Sequence, residues 1–270
     1  MFTMVHLKVL PMKGLLPVLS IVLLERRNVK TPLHLEGKWE KIGGIDCYVA
    51  VPEDNKNPDK VLLFLPDVFG VQFVNNQLLV SDFAANGIKT VAIDYFFGDP
   101  VPADIQSPNY SGPPFNREAW FGDHMPRTRP AIDKVIEGLK AEGVTVFAAT
   151  GYCWGARYTF DLAFDHIIKV AVVAHPSLLK IPEDLEKYLE TSEAPLLINS
   201  CTVDSQFPLE AQAKSDEILG EGKFKPGYKR EYFEGCEHGF AVRGDMDDPK
   251  VKAGKEGSFK ATVEWLKKYL

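Results

Sequence analysis

The sequence predicts an α/β protein, with a mostly parallel central sheet and helices on both of its faces. Three observations lead to this class. Short continuous apolar runs, which suit strands buried on both sides, stand at residues 61–65, 90–93, 144–148, 170–174 and 196–198. Segments of helical character separate them, and such alternation makes βαβ units whose crossovers leave neighbouring strands parallel. The chain of 270 residues is 45% hydrophobic and 25% charged, which supplies one full core and is too apolar for a disordered chain.

Residues 1–36 read as an extension distinct from the rest of the chain. Within it, residues 14–24 (GLLPVLSIVLL) are nearly all apolar, with Lys8 and Lys13 before them and Glu25, Arg26 and Arg27 after. The run resembles the apolar part of a signal peptide. It is nevertheless too short to span a bilayer, Pro17 interrupts it, and no small-x-small cleavage site follows. It is either a targeting segment or an extension outside the core.

From residue 37 to 270 a single domain is expected. Residues 39–51 read as an antiparallel hairpin turning at Ile42-Gly43-Gly44-Ile45. The strand at 61–65 is followed by a helix over 73–86 and a strand at 90–93. Residues 95–125 are rich in Pro, Gly, Asn and aromatic side chains, and read as a cap or substrate loop or as a surface excursion held by its own aromatics. A helix over 130–142 leads into the strand at 144–149. Beyond it the pattern continues as helix 154–164, strand 170–174, helix 182–189, strand 196–200, helix 209–219 and strand 229–233. Residues 250–270 place Val251, Phe259, Val263, Trp265, Leu266 and Leu270 among lysines, an amphipathic pattern for a terminal helix docked on the sheet.

With 31 Lys+Arg against 37 Asp+Glu the net charge is −6, and no basic stripe stands out, which argues against a nucleic-acid binder. The four cysteines, Cys47, Cys153, Cys201 and Cys236, are too few and dispersed for a disulfide scaffold and form no CxxC pair. The six histidines add no pair at zinc-ligand spacing, so no metal is expected. Free thiols fit a cytoplasmic protein, one of whose cysteines is available for catalysis.

The chemistry concentrates at Gly151-Tyr152-Cys153-Trp154-Gly155. A G-x-C-x-G between a strand and a helix is the context of a nucleophile elbow, where glycines let flanking backbone approach closely. The turn puts the thiol at a helix N-terminus, whose partial positive charge favours thiolate. An ordinary thiol is only about 3% ionised at pH 7, so such help matters. Taken alone, Cys153 is equally an inert buried cysteine. Two later residues change the balance: Asp204 stands just past the strand at 196–200, and His238 comes after the strand at 229–233. The order nucleophile, acid, histidine is that of α/β-hydrolases, each residue in a loop after a strand. His238 would take the Cys153 proton and Asp204 would hold the imidazole.

Together with Leu65-Pro66-Asp67-Val68-Phe69-Gly70, Ala174-His175-Pro176-Ser177 and Phe240-Ala241-Val242-Arg243-Gly244-Asp245, these motifs resemble the dienelactone hydrolase (carboxymethylenebutenolidase) family, especially its fungal branch. The resemblance covers residues 37–270. It implies an α/β-hydrolase fold without a cofactor, acting on a small ester or lactone through Cys153, Asp204 and His238 and an acyl-enzyme thioester. It implies an oxyanion site at the backbone N–H groups of Trp154 and Val68, no membrane or nucleic-acid partner, and a monomer or weak homo-oligomer.

The departures are equally specific. Bacterial members of the family carry a thiol-activating Glu where this chain has Asp67, which either keeps that role or caps the following helix. They also bind an anionic substrate through an arginine in the loop aligned with Tyr95-Phe96-Phe97-Gly98, where none stands here. Arg243 is the remaining carboxylate binder, or a solvated surface residue. His175 either faces the pocket or is a core histidine satisfied by hydrogen bonds. Trp120 and Phe121 anchor their loop or line the pocket, and the aromatic loop suggests a more apolar substrate than a dicarboxylate-like lactone. A thiol-based redox or peroxide-responsive protein and an inactive hydrolase fold used as a binding module are the other function classes the residues leave open.

Overall fold

The structure is a computed structural model, and it describes residues 36–105, 107 and 109–270. The apolar run at 14–24 lies outside them. The hairpin is β1 (Lys38–Ile42) and β2 (Ile45–Ala50), paired antiparallel around the expected Gly43-Gly44 turn. The chain continues through β3 (Lys60–Leu65), α1 (Val74–Ala85), β4 (Thr90–Ile93), α2 (Arg117–Ala141), β5 (Val146–Tyr152), α3 (Trp154–Phe164) and β6 (Val170–Ala174). It ends with α4 (Glu183–Thr191), β7 (Leu196–Val203), α5 (Leu209–Leu219), β8 (Tyr228–Glu237) and α6 (Pro249–Tyr269).

The eight strands form one sheet in the order β1-β2-β4-β3-β5-β6-β7-β8. The β1–β2 and β2–β4 pairings are antiparallel, and the rest from β4 to β8 are parallel. Period-two alternation sends the side chains of one strand into two separate cores. In β3, Val61, Leu63 and Leu65 join the layer beneath α2, α3, α4 and α5, while Leu62 and Phe64 face α1 and α6. Both faces are thus covered, as continuous apolar runs require.

The largest difference from expectation lies between residues 95 and 130. Helix α2 starts at Arg117, well before the expected residue 130, and the irregular stretch ends at its cap. The Asn116 side chain accepts a hydrogen bond from the Ala119 N–H at 3.1 Å. Pro126 and Pro130 then lie inside the helix, where each removes one donor. The carbonyls left without that donor belong to Gly122 and Pro126, both exposed, so water can satisfy them. The apolar stripe runs unbroken past both prolines, through Trp120, His124, Thr128, Ala131, Ile132, Val135, Ile136 and Leu139. Burial of this face outweighs two local breakers.

Phe83 of α1 is fully buried, with ring centroids 6.5 Å from Phe64 and 5.0 Å from Phe259. Phe83→Ala should lower unfolding free energy by about 3–5 kcal/mol in urea titration. Leu209→Ala, at a side chain left 53% exposed, should move it by about 0.5 kcal/mol or less.

Candidate active site

Strand β5 ends at Tyr152 and α3 begins at Trp154, so Cys153 alone turns the chain, with φ 49° and ψ −106°. A positive φ is costly for a residue with a side chain, and the surroundings enforce it. The Cys153 N–H donates to the Ala174 carbonyl at 3.2 Å, and its carbonyl accepts from the N–H groups of Ser177 at 3.1 Å and Ala156 at 3.2 Å. The two glycines are required by space. A Cβ on Gly155 would stand 2.1 Å from the Leu65 carbonyl oxygen, and one on Gly151 would stand 2.5 Å from the Gly155 carbonyl oxygen. The end of β3, the end of β5 and the first turn of α3 are therefore in backbone contact.

Asp204 immediately follows β7, and His238 immediately follows β8. The parallel register sets them side by side: Val203 pairs with Glu237, past an irregularity in β7, and the His238 N–H donates to the Val203 carbonyl at 2.8 Å. His238 Nδ1 then lies 2.9 Å from Asp204 Oδ1. The same carboxylate oxygen accepts the backbone N–H groups of Gln206 at 2.8 Å and Phe207 at 3.1 Å, which fixes the acid. Burial alone would lower the His238 basicity. Hydrogen bonds with Asp204 and Cys153, and the negative charge of both, overcome it and raise the imidazole to about 10. The structure thus brings Cys153, His238 and Asp204 together.

The backbone N–H groups of Trp154 and Val68 donate to no other group among the described residues. Trp154 is the first residue of α3, whose N–H has no intrahelical partner, and Val68 is held by its carbonyl, which accepts from Val101 at 2.9 Å. The Trp154 ring has centroids at 5.6 Å from Phe96, 5.3 Å from Trp120 and 5.0 Å from Phe121. These contacts tie the first turn of α2 to the elbow.

Asp67 and Arg243, which the sequence assigns separate tasks, are partners. Asp67 is fully buried; its Oδ2 accepts from Arg243 Nη1 at 2.5 Å, and its Oδ1 accepts from the Phe69 N–H at 3.3 Å and Asn76 Nδ2 at 3.2 Å. Burial pushes the Asp67 carboxyl up, and the Arg243 charge with the two Oδ1 bonds opposes it. The guanidinium also lies 4.4 Å from the centre of the Phe69 ring. Besides His238, the side chain within hydrogen-bond reach of the Cys153 sulfur is Ser177 and not Asp67, with Oγ 3.4 Å from Sγ. Sequence reasoning missed it, although the motif Ala174-His175-Pro176-Ser177 contains it.

His175 matches neither expectation in full. It is fully buried, at φ 39°, and neither ring nitrogen has a partner among the described residues. Its ring meets that of His238 edge-on at 4.9 Å and that of Phe240 at 5.8 Å. Burial, with the charges of His238 and Arg243, pushes the imidazole well below the ordinary histidine value. Cys47 and Cys201 are buried thiols, each pushed up to about 12, chiefly by desolvation. Among the described residues no cluster of His, Cys, Asp or Glu could hold a metal ion, and no helix is long and apolar enough to cross a membrane.

The model of the dienelactone hydrolase family matches residues 45–270. The chain belongs to that family. It is therefore a hydrolase of ester or lactone bonds, and it has fungal relatives of nearly its own length. It is 34% identical over 237 residues to "Hydrolase pyvD" of Aspergillus violaceofuscus, covering 87% of this chain and 91% of the relative. It is 33% identical over 235 residues to "Dienlactone hydrolase 1" of Gibberella moniliformis, covering 85% and 87%. Among solved structures, a Klebsiella pneumoniae protein assigned as a dienelactone hydrolase superposes with a TM-score of 0.68 at 16% identity, covering 86% of this chain and 98% of the other. The shared architecture is the α/β-hydrolase fold.

Removing Arg243 from this family member would leave Asp67 buried without its counter-charge. Arg243→Ala should lose about 3 kcal/mol of stability, and Asp67→Asn added to it should recover part of that loss in chemical denaturation. His175 gives a pH signature. Its ring is held neutral in the fold, so below the ordinary histidine value of about 6.5 the unfolded chain binds the extra proton. Stability should therefore fall with pH below that value, by up to about 1.4 kcal/mol per unit for this group. His238 acts with the opposite sign: its contribution is complete below about 6.5 and is lost as pH rises towards 10. Urea midpoints between pH 7 and 5 should drop less steeply in His175→Phe than in the unaltered protein.

Proposed function

We propose that the enzyme cleaves small ester or lactone substrates through Cys153, with His238 as proton carrier and Asp204 as the group that orients and balances it. The observation that carries this reading is the meeting of a strained cysteine at a helix N-terminus with a histidine already bonded to a buried carboxylate. The Cys153 thiolate adds to the substrate carbonyl, and the negative charge moves to the carbonyl oxygen. The N–H groups of Trp154 and Val68 are the donors for that oxygen. Collapse expels the alkoxide, which takes the proton from the His238 imidazolium and leaves a thioester on Cys153. Neutral His238 then removes a proton from water as it attacks the thioester, and the acid product leaves with the thiolate restored.

Every group in this cycle comes from the chain itself, so the reaction calls for no cofactor. Arg243 is engaged by Asp67 and Phe69, and the elbow is bordered by Phe121 and Trp154. An uncharged, apolar acyl or lactone ring suits those surroundings better than a dicarboxylate. The "Dienlactone hydrolase 1" relative lends the substrate class its first test compound.

Hydrolysis of dienelactone and p-nitrophenyl acetate should vanish in Cys153→Ala and fall at least about a hundredfold in Asp204→Asn, where the histidine loses its orienting charge. Unchanged turnover in Cys153→Ala would overturn the mechanism.

A further inference from the structure

We propose that the Ser177 hydroxyl donates a hydrogen bond to the Cys153 thiolate and acts with His238 to stabilise the nucleophile; this rests on the reading of Cys153 as nucleophile. Three observations place the hydroxyl for that task. Its Oγ lies 3.4 Å from Sγ, a normal separation for oxygen and sulfur, and it makes no other hydrogen bond among the described residues. Ser177 is only 5% exposed, so water competes weakly for the hydroxyl. Its own N–H donates to the Cys153 carbonyl at 3.1 Å, which locks the two residues in register.

The backbone around Ser177 is shaped to make this contact. His175 and Leu178, on either side, both take positive φ, 39° and 64°, conformations that side chains disfavour. The His175 N–H donates to the Asn199 carbonyl at 2.9 Å, so the turn is anchored to β7. The carboxylate that could serve the thiol instead, Asp67, is fully engaged by Arg243, Asn76 and Phe69.

Charge determines what the hydroxyl does. A thiolate is acceptor-only, and a buried hydroxyl with no other partner donates to it, a bond strengthened by the full charge on sulfur. When sulfur bonds to the substrate carbon, its charge moves to the carbonyl oxygen and the hydroxyl contact weakens. Ser177 keeps its proton throughout; the proton that reaches the leaving alkoxide comes from His238.

The test measures iodoacetamide alkylation of Cys153 against pH by intact mass, with Cys153→Ala as the blank. In Ser177→Ala the midpoint of the curve should move upward by about one pH unit, and the rate below the midpoint should fall about tenfold. The kcat/KM for p-nitrophenyl acetate should fall by a similar factor at pH 6.5 and recover at alkaline pH. Ser177→Thr and Ser177→Val share one shape and differ in the hydroxyl, so Thr should keep the original midpoint while Val behaves like Ala. This pair also decides the question if Ala unfolds. A midpoint that stays put or moves downward in the Ala and Val proteins overturns the proposal, the downward case meaning that the thiol donates to Ser177. If Cys153→Ala alkylates and hydrolyses like the unaltered protein, the nucleophile assignment itself fails.

Discussion

At the end of β5 the chain reverses direction within a single residue, and it can do so because the backbone of Gly155 lies against the carbonyl of Leu65 with no side chain between them. The rest of the site depends on that contact. It sets the N-terminus of α3 beside the end of β3, so the first N–H of the helix and the loop carrying Val68 are neighbours. It forces Cys153 to positive φ, and the thiol is left only partly buried. The same reversal brings the Cys153 carbonyl to the turn after β6, where Ser177 is bonded to it. Any side chain at Gly155 would force the end of β3 away from the first turn of α3, so this close approach is the least negotiable feature of the site.

Around the elbow, charge is arranged by burial and partnership. Two of the buried carboxylates are each answered by a different cation or cation-former: Asp204 by His238 and Asp67 by Arg243. The pairs are not equivalent. Asp204 also accepts two backbone N–H groups and holds an imidazole, a group able to gain and lose a proton, whereas Asp67 is matched to a guanidinium that stays charged. The neutral ring of His175, wedged edge-on against His238, adds no charge of its own to the site.

The sheet and the candidate triad were legible in the sequence because both depend on local signals. Continuous apolar runs mark buried strands, and the G-x-C-x-G spacing marks a turn that only glycines permit. Asp204 and His238 were readable from their places after strands. What escaped was decided by tertiary contact. Helix α2 begins at Arg117 and not at residue 130, because the buried stripe from Trp120 onward overrides two internal prolines. Asp67 and Arg243 are 176 positions apart, and nothing local announces that each is the other's partner. Ser177 was invisible for a related reason. A serine after a proline reads as an ordinary turn residue until the strand order brings it to the sulfur.

The stretch between Asp99 and Asn116 is clamped at its base: the Trp120 indole N–H donates to the Asp99 carbonyl at 2.8 Å, and His124 Nε2 lies 3.1 Å from the Asp99 carboxylate. The stretch is tied to the site at its start, where the Val101 N–H donates to the Val68 carbonyl at 2.9 Å; beyond Val101 no hydrogen bond among the described residues joins it to Cys153, Asp204 or His238. Closing a loop on fixed ends becomes only slightly harder as it lengthens, by about 0.6 kcal/mol for each doubling. Changes of length beyond Val101 should therefore cost the elbow little, whereas a change at Val101 would reach Val68 directly. The fold thus sets a segment that can change in length beside a turn at Cys153 that cannot.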